Sequence, residues 1–262
     1  MSYWHLRFSS VTRVVLFPGE AGRRLAVRCI VRIAGPYLLL FCVVDDHVHV
    51  LIAGVAERLG AIRSALSRAL APIASAAFAP SFVVPVRSRA HLVRNVDYFL
   101  TQSAHHGIEG HPATDSGSCF QDLVGARRID GFDPGLLKRA LPRLRRDDLL
   151  RAVSLPARAL DPMPLEAIRG LGAASLVEAC ASVLGVGPVL AGRDGPVVEA
   201  RRLAANLGAE AGIARADLAW ALPASPRAVR RLATEPADPR FLHAARVRLA
   251  LERTARGVGR AA

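Results

Sequence analysis

Two histidines one residue apart open an apolar segment, Asp46-His47-Val48-His49-Val50-Leu51-Ile52. In a strand, successive side chains point to opposite faces, so His47 and His49 share one face and Val48, Val50 and Ile52 the other. Imidazoles about 7 Å apart along one strand can converge on a divalent ion if a carboxylate or amide completes the site. The same pattern also suits two histidines on the wetter face of a half-buried strand, and alone it does not separate the two. About fifty residues later comes a helix-forming run that contains His91, Asn95, Tyr98 and Gln102. At helical spacing Tyr98 and Gln102 lie one turn apart on one face, with His91, Asn95 and His105 near it. The Tyr98 hydroxyl can serve as a nucleophile there, and the Gln102 amide oxygen as a third metal ligand. Standing alone, Tyr98 would read as an ordinary half-buried aromatic.

Elements that could position these groups follow from the patterning. Residues 3–9, 11–17, 37–44, 48–53 and 81–86 are short and rich in branched and aromatic side chains, as strands are. Residues 20–34, 57–77 and 91–105 read as helices, and 107–117 as a loop. The basic turn Arg87-Ser88-Arg89 precedes the tyrosine helix and is a candidate phosphate contact. From residue 120 no convincing strand remains. Five prolines between 134 and 164 mark a connector of short helical pieces, and 165–256 carries six helical stretches separated by glycine and proline.

Composition narrows the function classes. The chain has 262 residues, 52% hydrophobic and 22% charged, as expected of a folded protein rather than a disordered one. Its 35 basic side chains outnumber 22 acidic ones, for a formal net charge of +13. All but Lys138 of the basic residues are arginine. Such an excess favours polyanions, with nucleic acid first and an anionic membrane surface second. Four widely spaced cysteines give neither a zinc knuckle nor a disulfide framework. The first residues lack a signal-peptide pattern, and the longest apolar run, 37–44, is far too short to span a bilayer, so no membrane association and a cytoplasmic location are expected. Gly170-Leu171-Gly172 and Gly185-Val186-Gly187 lack the strand and Lys-Ser/Thr of a phosphate loop. His105, His106, His111 and Cys119 fit no standard metal spacing. The arginines of 240–260 form a basic face for phosphate or for solvent.

The strand with His-Val-His, followed by a helix with tyrosine and Gln four residues on, resembles the single-tyrosine HUH transposases, the REP-associated tyrosine transposases above all. Asp45-Asp46-His47-Val48-His49-Val50-Leu51-Ile52 matches their histidine strand, with Asp46 where the family carries Asn. Val96-Asp97-Tyr98-Phe99-Leu100-Thr101-Gln102 matches the tyrosine helix, and Gly117 to Arg127 the segment after it. The resemblance covers about residues 3–128. It implies a ferredoxin-like HUH domain in which His47, His49 and Gln102 hold Mg²⁺ or Mn²⁺. Tyr98 would attack a phosphate of single-stranded or hairpin DNA, leaving a 5′-phosphotyrosine and a free 3′-OH.

A second resemblance lies at the C-terminal end. Residues 196–205, 213–219 and 225–232 read as helix, helix, turn, helix, and are similar to the DNA-binding domain of the replication initiator DnaA, although Pro223 stands in place of its acidic-histidine turn. That implies duplex contacts from Arg201, Arg202, Arg227, Arg230 and Arg231, with Ser225 capping the recognition helix. The expectation is therefore an α+β protein: an HUH domain at 1–128, a connector at 129–164, and an all-α helix-turn-helix domain at 165–262. It would act on DNA as a monomer or homodimer. Two alternatives stay open, a DNA-binding protein that keeps this fold without catalysis and an unrelated basic helical regulator.

Overall fold

Short runs of branched and aromatic side chains in the first ninety residues build one antiparallel sheet. The computed structural model describes residues 2–12, 14–54 and 56–258. Its strands are β1 (Ser2–Ser9), β2 (Leu38–Val43), β3 (His47–Gly54) and β4 (Phe82–Val86), in the spatial order β2-β3-β1-β4. Helix α1 (Gly19–Ala34) links β1 to β2 and α2 (Ala56–Leu70) links β3 to β4, which makes the chain order β-α-β-β-α-β. The fold is mixed α+β, as expected, and the other regular elements among the described residues are helices.

Leu6 and Phe8 of β1 and Val48 and Val50 of β3 are fully buried on one face of the sheet, which α1 and α2 cover with Val27, Ile30, Leu66 and Leu70. The opposite face carries His5, Arg7, His47 and His49. Helix α3 (Arg89–His105) lies over it, with the Phe99 ring 5.0 Å from that of His5 and 5.7 Å from that of His49. The outer edge of β2 is closed by residues 117–119. Val43 N–H donates to Gly117 O (3.0 Å) and Cys119 N–H to Phe41 O (3.2 Å), so this edge exposes no open row of donors and acceptors.

The described residues of 11–17 form no strand, although the segment is as rich in branched and aromatic side chains as one. The segment instead braces the β2–β3 turn. Ser10 N–H donates to Asp46 O (2.9 Å), and Leu16 N–H donates to Asp45 O. The Ser10 hydroxyl accepts from the Thr12 and Val14 amides (3.3 and 3.2 Å), curling the chain locally. The helix expected over 57–77 stops at Leu70. Pro72 lies in the single 3₁₀ turn that follows, Ala71–Ile73, because a proline cannot donate the amide that would continue an α-helix.

Two compact units result, residues 1–123 with 130–156 and residues 124–129 with 157–262. The first also contains α4 (Phe120–Leu123), α5 (Pro134–Ala140) and α6 (Arg146–Ala152). Much of the expected connector thus packs with the sheet, since Leu137, Leu141, Leu149 and Leu150 are buried and the Phe132 ring meets Phe41 edge-on at 5.5 Å.

The second unit holds α7 (Leu165–Val183), α8 (Gly195–Glu210), α9 (Arg215–Ala221), α10 (Pro226–Thr234) and α11 (Pro239–Val258). Gly172, at φ 82°, breaks α7 in two. Its core is built from small side chains, among them Ala179, Ala200, Ala204, Ala244 and Ala245, and Gly208 of α8 lets Leu218 of α9 approach closely. The Asn206 amide donates to the carbonyls of Leu232 and Glu235 (3.0 Å each) and so pins the end of α10 to α8. No helix among the described residues is long and apolar enough to cross a membrane.

A Cβ on Gly117 would collide with the Val43 carbonyl oxygen. Gly117→Ala should therefore destabilise the fold by about 1–3 kcal/mol, as overpacking against fixed backbone does. Gly60→Ala, in α2 with nothing within 4 Å of the new carbon, should instead stabilise it by about 0.5–1 kcal/mol. Thermal denaturation followed by circular dichroism reads both, and equal midpoints for the two variants would contradict this account of the sheet edge.

Candidate active site

Strand pairing and one helix cap bring the chemistry together. The β1–β3 register sets Arg7 opposite His49 and Ser9 opposite His47, and directly opposed residues of paired strands point to the same face. Helix α3 starts at the Ser88 cap, whose hydroxyl accepts from His91 N–H (3.1 Å). Its buried residues Leu92, Val96, Phe99 and Leu100 fix its rotation on the sheet. That rotation leaves Tyr98 42% exposed at the margin of the site and Gln102 only 3% exposed one turn on. Arg23 holds the histidine turn from below: its guanidinium lies 3.4 Å from Asp45 Oδ1 and 3.5 Å from Asp115 Oδ1.

The resulting contacts form a chain. Tyr98 Oη is 3.2 Å from His49 Nε2, and His49 Nδ1 is 2.9 Å from His5 Nε2. The His47 and His49 rings stand perpendicular, with centroids 4.4 Å apart. His47 Nδ1 is 2.6 Å from Asp46 Oδ1, and His106 Nδ1 is 3.9 Å from the same oxygen. Asp46, His47 and His106 each offer a ligand atom, all within 4.8 Å of one another, a group that can hold a metal ion. His47 is buried, whereas the Asp46 and His106 side chains are each 29% exposed and open the group to solvent.

Electrostatics keep the imidazoles neutral. Burial, then the neighbouring His47, His5 and Arg7, pushes His49 down to about 2. Burial, then His91, Arg7 and His47, takes His5 to about 4. His47 also falls, because burial outweighs its bond to Asp46. Burial alone would raise the Asp46 carboxyl, but the His47 hydrogen bond and the charges of His47 and His106 bring it below its ordinary value. Partial burial raises the Tyr98 phenol. At neutral pH the Tyr98 hydroxyl therefore donates to His49 Nε2, and His49 Nδ1–H donates to His5 Nε2.

The structure brings His47, His49 and Tyr98 into one contiguous set. Among the described histidine, cysteine and acidic side chains, those that gather in ligand geometry are Asp46, His47 and His106. His49 stands beside them with both ring nitrogens engaged by His5 and Tyr98. Gln102 is buried on the tyrosine face of α3, and its side chain makes no hydrogen bond among the described residues. Sequence reasoning passed over Asp46 as a ligand and over His5 and Arg7, and it set His106 aside because its spacing fits no standard metal pattern. The signals were faint: His106 continues the spacing of Tyr98 and Gln102 at every fourth residue, and His5 and Arg7 fall on the odd positions of β1.

The candidate DNA contacts divide in two. Arg87 and Arg89 are exposed at the start of α3, and Arg227, Arg230 and Arg231 are exposed on α10. None of these five makes an ion pair among the described residues. Arg201 and Arg202 are instead engaged within the second unit. Arg201 donates to Leu190 O (2.7 Å) and Gly192 O (2.6 Å), and Arg202 pairs with Glu199 (2.6 Å) and Glu235 (2.9 Å). In the basic tail Arg240, Arg246, Arg248 and Arg256 are similarly engaged, and Arg260 lies outside the described residues. Comparisons of the chain with protein-family models, with curated proteins and with solved structures return no match.

The two depressed histidines make stability depend on pH. Above pH 6.5 both are neutral whether folded or unfolded and contribute nothing. Below it the unfolded chain takes up protons that folded His5 and His49 refuse, so stability is lost between 6.5 and about 4 for His5, and on towards 2 for His49. The slope approaches about 1.4 kcal/mol per pH unit for each. Urea midpoints measured between pH 7 and 4 should fall, and His5→Gln should flatten the curve; a curve of unchanged steepness would show that His5 stays exposed to protons in the folded state.

Proposed function

We propose that the chain cleaves and rejoins single-stranded DNA through a covalent tyrosine intermediate, as an HUH-type transposase-like enzyme. The observation that carries this reading is the 3.2 Å contact of Tyr98 Oη with His49 Nε2 beside a histidine-aspartate group able to take a cation. The β-α-β-β-α-β order with sheet order β2-β3-β1-β4 supports a ferredoxin-like domain. The short α9 and α10, joined by four residues and capped at Ser225 (3.2 Å to Ala228 N), support a helix-turn-helix in the second unit.

The donor set fits a divalent cation. Asp46 offers an oxygen, and His47 and His106 each offer a ring nitrogen. Two imidazoles suit Mn²⁺ at least as well as Mg²⁺. When bound, the ion would polarise a phosphodiester and offset the charge that builds up in attack. The protein's own groups do the rest. Tyr98 is reachable at the site margin and forms the new bond from Oη to phosphorus, while the bond from phosphorus to the 3′-oxygen breaks. His49 Nε2 orients the phenol through the contact at 3.2 Å, and the phenolic proton ends on the released 3′-oxygen as the 3′-OH forms. The phosphotyrosine keeps the diester energy, so the strand can be rejoined without an external energy source.

Incubation of the full chain with single-stranded oligonucleotide and Mg²⁺ or Mn²⁺ should give a protein–DNA adduct on a denaturing gel. Omitting the metal should prevent it. Tyr98→Phe should abolish the adduct while leaving affinity nearly unchanged, because only a hydroxyl is lost, and His49→Ala should lose it too. Binding without any adduct would favour the non-catalytic DNA-binding alternative, and an adduct in the Phe variant would mean that another residue attacks.

For the second unit, Arg230→Ala with Arg231→Ala should weaken duplex binding. It should also reduce the slope of log affinity against log salt by about 0.9 for each phosphate contact removed. A salt titration on one duplex reads this, and an unchanged slope would mean that α10 does not meet the phosphates.

A further inference from the structure

The row of residues that continues from His49 across the sheet points beyond the reacting phosphate. In the β1–β3 register His49 lies opposite Arg7, and in the β1–β4 register Arg7 lies opposite Phe82. The three therefore stand side by side on one face, on adjacent strands about 5 Å apart, with Tyr98 Oη against the first of them. Arg7 is exposed and makes no ion pair or hydrogen bond among the described residues. Its charge is nevertheless felt at His5, His47, His49 and Tyr98. Phe82 is 64% exposed, a large ring on an edge strand with no aromatic partner among the described residues. The guanidinium does not lie on that ring; the cation–ring contact found among the described residues is Arg58 over Tyr37, at 5.7 Å.

We propose that the nucleotide next to the scissile phosphate is held unpaired across β1 and β4, with its phosphate on Arg7 and its base stacked on Phe82. This rests on the DNA-cleaving reading above and names the form of substrate that the site accepts. A free guanidinium one strand from the histidines is placed to take the neighbouring phosphate bidentately. One strand further, an exposed aromatic face offers what an unpaired base lacks, a surface to stack on. A base inside a duplex already has both faces covered by its neighbours and cannot use Phe82 without being splayed out. The platform therefore selects for strand state, while any base can use it, since every base has a π-face.

The test uses the full chain and fluorescence anisotropy with labelled oligothymidylate, single-stranded or annealed to oligoadenylate. Phe82→Ala should weaken single-strand binding about ten-fold, within the range of one lost base–aromatic stack, and should leave duplex binding unchanged. Phe82→Trp should restore the single-strand affinity. Arg7→Gln should lower the salt slope for the single strand by about 0.7, the share of one phosphate contact. An unchanged single-strand affinity in Phe82→Ala would overturn the proposal, as would equal losses on both DNA forms or no rescue by tryptophan. Covalent capture by Tyr98 alongside any of those results would leave the cleavage reading standing and sink only the platform. A wild-type chain that forms no adduct yet loses single-strand affinity in Phe82→Ala would do the reverse.

Discussion

The antiparallel pairing of β1 with β3 in a single register underlies both the core and the site. It stacks Leu6 and Phe8 with Val48 and Val50 beneath α1 and α2, and it leaves His5, Arg7, His47 and His49 on the other face. Side chains in a strand alternate, so a slip of β3 by one residue would bury His47 and His49 under those helices and turn Val48 and Val50 toward α3. The cost of burying those polar groups unpaired is what enforces the register. The same hydrophobic pattern that stabilises the sheet therefore aligns its chemistry, and no separate device is needed to hold the histidines together.

Around that alignment, neighbouring segments spend their backbone groups on the histidine turn. Ser10 and Leu16 donate their amides to Asp46 and Asp45, Val44 N–H donates to His47 O at 3.0 Å, and Arg23 bridges Asp45 to Asp115. The turn is braced from three directions, and the Asp46 carboxylate stays beside His47. The imidazoles sit among cations and other imidazoles in a partly desolvated space, which favours their neutral, ligating and accepting forms. Asp46 is the acidic member of that group, and its charge gives a divalent ion an electrostatic reason to enter.

The second unit shows how little a count of arginines says about function. Arg201, Arg202, Arg246 and Arg248 are committed to carbonyls and carboxylates inside the helical bundle. Small core residues bring these helices close. The cations left to solvent on α10 are few, and they are grouped on one short helix whose end is tied down by Asn206.

Local composition and spacing were enough to read β1, β2, β3, β4 and α1, the tyrosine helix and all five helices after residue 164, because short runs of branched and aromatic side chains mark buried strands and an apolar stripe marks a packed helix. They also put His47 with His49 and Tyr98 with Gln102, since those relations lie within single elements. The same reading failed at 11–17, where valine, leucine and phenylalanine are as frequent as in a strand, because nothing local says that the amides of Ser10 and Leu16 are taken by a turn thirty residues away. Which histidines meet was likewise decided only in three dimensions. His5 reaches His49 through strand register, and His106 reaches Asp46 because α3 crosses the sheet at the rotation its apolar face dictates. The engagement of Arg201 and Arg202 depends on which acids and carbonyls the packing brings near. Contacts within an element follow from spacing along the chain; contacts between elements depend on how buried faces dock, and no local pattern records that.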